Sequence, residues 1–106
     1  MIRTINISDF STYPHGVSSD DGDFNGSTFR ENILFPEIKK AIVSGGMVKV
    51  NLDNVVSYSA SFLQEAFQGL IRVNGLSRQQ LAQHLIVEAK EPRYRRYAEA
   101  VYRYIT

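Results

Sequence analysis

Few side chains in this 106-residue sequence are typed and spaced for chemistry. Asp21, Asp23, Asn25 and Gly26 fall at the first, third, fifth and sixth positions of a calcium-loop pattern, where oxygens surround a hard cation and the glycine makes the turn. The twelfth position of that pattern needs a bidentate Glu and holds Asn32, with Glu31 one residue early. The expectation is therefore an Asx-rich turn with no metal and no cofactor, in which Asn25 or Ser27 caps the helix that follows.

Nucleophile chemistry is limited to Ser57, Ser59 and Ser61, with His15 and His84 as the two available bases. Neither histidine lies in a nucleophile elbow, and no glycine motif of the phosphate-cradling kind is present: Gly16, Gly22 and Gly26 are followed by no lysine. No catalytic residue is assigned. Arg93, Arg95, Arg96 and Arg103 are interleaved with tyrosines, a pattern that binds single-stranded nucleic acid when the rings are exposed. Here Tyr94, Tyr97 and Tyr104 fall on an apolar stripe, so a solvated face with Arg96, Glu99 and Arg103 as neighbours of opposite charge is expected instead.

These groups must be positioned by short alternating elements. Residues 2–7 read as a strand and residues 8–26 as one long polar loop. A helix from Ser27 carries Phe29, Ile33, Leu34, Ile38, Ala41 and Ile42, is interrupted by Pro36, and ends at Gly45-Gly46. Residues 47–53 read as a second strand. In SFLQEAFQGLIR the apolar residues Phe62, Leu63, Ala66, Phe67, Leu70 and Ile71 make one helical stripe, with Ser61 as the predicted cap and Asn74-Gly75 as the stop. Gln64, Glu65, Gln68 and Arg72 then face away from that stripe. A Ser77–Gln80 capping box opens a short helix, residues 84–89 form a third strand, and Pro92 starts a last helix carrying Tyr94, Tyr97, Ala98, Val101, Tyr104 and Ile105. The alternation predicts one α/β domain over residues 1–106, a mixed sheet flanked by about four helices.

Composition narrows the function classes. A net charge of +1 argues against a dominant electrostatic partner such as bulk nucleic acid or an anionic membrane. Absence of cysteine excludes disulfides and thiol chemistry and suits a cytoplasmic setting, and neither a signal core nor a membrane span is expected.

The stretch VKVNLDNVVSYSASFLQEAFQGLIR resembles the central strand–loop–helix of STAS domains, the fold of bacterial anti-sigma-factor antagonists. It resembles more closely the STAS-like domain family of unknown function, a likeness that extends through PHGVSSDDGDFNGSTFRENILFP. The resemblance implies a STAS-like fold and a regulatory protein–protein interaction module. It further implies a partner such as a histidine-kinase-type ATPase, which in the antagonists phosphorylates a serine at the start of this helix. Their motif, Asp-Ser-Ser/Thr-Gly-Leu, places its aspartate on Ser59, its acceptor on Ala60 and its next serine on Ser61, with Phe62 for the glycine and Leu63 in agreement. Ser59 and Ser61 are thus the candidate phospho-acceptors. The partner-binding surface is expected over Tyr58, Ser59, Ser61, Gln64, Glu65 and Gln68. Two alternatives stand beside it: a ligand-binding or enzymatic site with Asp21, Asp23, Arg30 and Glu65 converging on the loop, and nucleic-acid association through the last helix.

Overall fold

Three short runs of β-branched residues pair into the sheet on which everything else is mounted. The computed structural model describes residues 2–106. Strands β1 (Ile2–Asn6), β2 (Met47–Asn51) and β3 (Leu85–Glu88) lie in the order β1-β2-β3. Both pairings are parallel, with Ile5 opposite Val50 and Val50 opposite Val87, so one row of buried aliphatic side chains crosses the sheet. The α/β class is as expected. The sheet is uniformly parallel rather than mixed, because each connection between successive strands passes through helices and returns the chain in the same direction.

Among the described residues five α-helical stretches accompany it: α1 (Ile7–Phe10), α2 (residues 26–44), α3 (residues 60–72), α4 (Arg78–His84) and α5 (Arg95–Ile105). The stretch expected as one long loop is therefore shorter. Ile7 turns inward and is fully buried, which rolls the end of β1 into α1, and Ser19–Asp21 form a single 3-10 turn.

Pro36 does not break α2. The turn before it, Arg30–Leu34, widens to π geometry, with Phe35 N–H bonded to the Arg30 carbonyl. A wider turn moves the preceding carbonyls off the proline ring, which would otherwise meet the one four residues earlier. Helix α3 widens in the same way over Gln64–Gln68. Gly45, at φ 76°, ends α2 in the left-handed conformation a glycine adopts without strain.

His84 closes α4 rather than opening β3, its Nδ1 lying 2.8 Å from the Gly46 carbonyl oxygen. Ser77 and Gln80 form the predicted capping box. The core is built from Phe29, Leu34 and Ile38 of α2, Phe62, Phe67 and Leu70 of α3, and Val48 and Val50 of β2, all fully buried. Burial of each such side chain contributes about 1.5–3 kcal/mol. Helix α3 packs against both α2 and α5 through its Gln64–Gln68 turn, while its first turn lies against α2. No helix among the described residues is long and apolar enough to cross a membrane.

Candidate functional site

The first turn of α3 is where the expected interaction surface begins, and its geometry follows from residues on either side. Tyr58 is buried, and its hydroxyl donates to the Leu52 carbonyl oxygen at 2.7 Å, tying the β2–α3 connection down from within. Burial, helped by the neighbouring Tyr94 and Asp53, pushes that hydroxyl's pKa far above its ordinary value. Tyr58 is therefore an anchor of this connection.

Ser59, not Ser61, caps α3: its Oγ accepts from the Phe62 N–H at 3.1 Å. The same oxygen accepts from the Gly16 N–H at 3.3 Å and lies 3.2 Å from Ser61 Oγ. The Ser-x-x-Gln pattern at 61–64 pointed to Ser61, but the backbone bonds of the loop select the serine two residues earlier. Ser61 is left exposed on the first turn.

Gly16 brings in the long loop. The His15 N–H bonds the Phe24 carbonyl at 3.0 Å, and the Gly26 and Ser27 N–H groups bond the carbonyls of Gly16 and Val17, each at 3.0 Å. Asn25 is fully buried, caps α2 by accepting from the Thr28 N–H at 2.8 Å, and donates to the Gly22 carbonyl. Asp21 accepts from the Val17 N–H at 2.9 Å and the Ser18 N–H at 3.4 Å, which holds its carboxyl below the usual aspartate range. These oxygens are spent on backbone donors. Among the described residues no three carboxylate, histidine or cysteine side chains stand together as a metal site.

Beside its exposed aspartates the loop region presents large apolar groups outward. Tyr13, Val17, Phe24 and Val56 are 57%, 41%, 48% and 71% exposed. They lie on segments stitched together by the bonds above and by the Val56 N–H to the Thr12 carbonyl at 2.6 Å. Large apolar groups left in water within an ordered loop mark a contact surface more often than scattered ones do. Composition does not mark them, because Ser, Asp and Gly dominate residues 8–26. The available signal was four bulky residues in stretches otherwise made of turn formers.

The expected ridge on α3 is only partly there. Gln64 is exposed and donates to Gln68 at 2.9 Å, while Gln68 is half-buried. Glu65 is turned inward, with 12% of its side chain exposed. Its carboxylate meets Arg30 Nη1 at 2.7 Å and Arg72 Nη2 at 3.0 Å. Arg30 is itself buried and also donates to the Glu65 carbonyl oxygen at 2.5 Å and to Glu31 at 3.0 Å. Asn74 donates to Glu31 as well, and with Arg30 it lowers the Glu31 carboxyl pKa. A Cβ at Gly69 would land on the Arg30 guanidinium, and one at Gly26 would lie 2.7 Å from the Phe62 carbonyl oxygen. The two glycines thus permit the close approach of α2 to α3 that the Arg30–Glu65 pair locks.

The structure brings together Arg30 and Glu65 but leaves Asp21 and Asp23 exposed on the loop, so the four do not converge on a pocket. Asp53, unremarked in the sequence, is buried and accepts from the Lys90 and Glu91 N–H groups at 3.0 and 3.1 Å, fixing the approach to α5.

A family model described as a STAS-like domain of unknown function matches residues 25–93. The matched stretch starts at the Asn25 cap and contains α2, β2, α3, α4 and β3. No curated protein and no solved structure matches the chain.

Proposed function

We propose, given that this chain belongs to the family of STAS-like domains of unknown function, that it is a non-enzymatic, cytoplasmic regulatory module that binds a protein partner. The contact surface is the ordered loop and the first turn of α3: Tyr13, Val17, Phe24 and Val56 around Ser59 and Ser61, extended by Gln64 and Gln68. The observation that carries this reading is the exposure of those four apolar side chains on segments hydrogen-bonded to the α3 cap. Aromatic and aliphatic anchors of this kind, ringed by polar groups, supply most of the energy of protein interfaces.

Within this reading Ser61 is the hydroxyl open to phosphorylation by a kinase-type partner, since Ser59 Oγ is engaged in capping. A phosphate there would place close to two negative charges at a helix N-terminus beside the apolar contacts. The test is site-specific photo-crosslinking in cells of the source. A crosslinker at position 24 or 56 is expected to trap the same protein, while one at Val43, exposed on α2, traps none. Equal crosslinking from all positions contradicts the assignment.

A further inference from the structure

Beside the first turn of α3 runs an open groove of about 340 Å³, lined by Leu63 and Ala60 on one side and by Arg96, Tyr97, Ala100 and Arg103 of α5 on the other. Arg96 and Arg103 are both exposed and seven residues apart, on one face of the helix. Their charges are unmatched. Among the described residues neither has a carboxylate within ion-pair distance, as is also true of Lys39, Arg78, Lys90, Arg93 and Arg95, but of these only Arg96 and Arg103 line the groove. Glu99 lies between them in sequence and pairs with neither, contrary to the compensated face expected from the spacing.

The groove's chemistry selects its occupant. The Arg96 guanidinium lies 4.8 Å from the Tyr97 ring centroid and donates to its hydroxyl at 3.0 Å, which fixes the side chain while other N–H groups of its fork stay free. Tyr97 is further packed by Tyr58, edge-on at 5.0 Å, and by Tyr94 at 6.4 Å. Its ring is already occupied, which leaves Tyr104 as the other aromatic lining the groove, and the site offers two exposed guanidinium groups, that of Arg96 held in place.

We propose that this groove receives an acidic segment of the protein partner, with carboxylates at Arg96 and Arg103. The inference rests on the interaction-module reading above and adds the chemistry of the partner. Seven residues of helix rise about 10 Å. A polyproline-II segment, with three residues per turn and about 3.1 Å rise, puts residues i and i+3 on one side about 9 Å apart, so a Glu-x-x-Glu segment in that conformation matches the pair.

A fluorescein-labelled hexaglutamate peptide serves as probe, with anisotropy as readout. It is expected to bind the wild type and to lose about tenfold in affinity, roughly 1.4 kcal/mol, in the Arg96→Gln, Arg103→Gln variant. The charge-matched Arg78→Gln, Arg95→Gln variant, outside the groove, is expected to lose less than about threefold. No binding to the wild type, equal losses in both variants, or tighter groove-dependent binding of a hexathymidylate would each overturn the proposal. The assay involves none of Tyr13, Phe24 or Val56, so its failure and a failure of the loop surface are read separately.

Discussion

Arg30 Nη1 lies 2.7 Å from Glu65 Oε2 and 2.5 Å from the Glu65 carbonyl oxygen, so one side chain of α2 serves a carboxylate and a backbone acceptor of α3. The contact joins the two π turns and sits over Gly69. It fixes the angle at which α3 presents its first turn, and it removes Glu65 from the solvent face. Replacement of Glu65 would therefore perturb the helix pair rather than test a surface.

Arg30→Met keeps most of the stem and deletes the cation. Stability is expected to fall by about 3 kcal/mol, the low end for removing one partner of a buried pair, because Arg72 still faces Glu65. Urea unfolding measures it. A loss under about 1 kcal/mol, as for an exposed pair, would contradict the locking role.

Gly69→Ala reverses a usual sign. Gly69 has ordinary helical angles, φ −59° and ψ −26°, where alanine normally stabilises by about 0.5–1 kcal/mol. Here the added carbon meets the Arg30 guanidinium, and a destabilisation of roughly 1–3 kcal/mol is expected. In the Arg30→Met background the penalty should shrink; an unchanged penalty there would point to a different clash.

Tyr58→Phe removes the donor to the Leu52 carbonyl and should cost about 1–2 kcal/mol at neutral pH. The pH dependence has a definite sign. A hydroxyl whose folded pKa is raised contributes stability fully present below its unfolded value, about 10, and lost as pH rises beyond it. Chemical unfolding across that range should show a shallower alkaline decline in the variant; an identical decline would assign it to another group.

Asp21 should titrate below the ordinary aspartate value of about 3.9, by NMR of its carboxyl carbon. With a depressed folded pKa, its contribution is present above the unfolded value and lost as pH falls through the folded one. Asp21→Asn is expected to speed amide exchange at Val17 and Ser18. Slow exchange in the variant, or titration at the ordinary value, would show that the turn stands without the charge.

Much of the fold was legible because its signals are local. Alternating apolar residues gave the strands, Ser77 and Gln80 gave a cap, and Asn25 was one of two expected caps for α2. The site was less legible because it is made of non-local contacts. Ser59 outcompeted Ser61 as cap through a bond to Gly16, forty-three residues away in sequence. Glu65 read as exposed from helical periodicity, yet its partner Arg30 lies thirty-five residues away. Pro36 read as a break, whereas a change in helix pitch absorbed it. The apolar loop residues carry no periodicity, so their exposure is seen only in the folded loop.

The central claim is most directly tested by the affinity of a partner trapped through position 24 or 56, measured by calorimetry against the wild type and a Phe24→Ser, Val56→Ser variant. Val56 is largely exposed and Phe24 about half, its ring edge-on to Phe10 at 5.5 Å, so the melting temperature should fall by no more than about 8 °C, roughly 1 kcal/mol. The account predicts at least a tenfold loss of affinity, about 1.4 kcal/mol or more, with the fold unchanged. Undiminished affinity in the folded variant would contradict it.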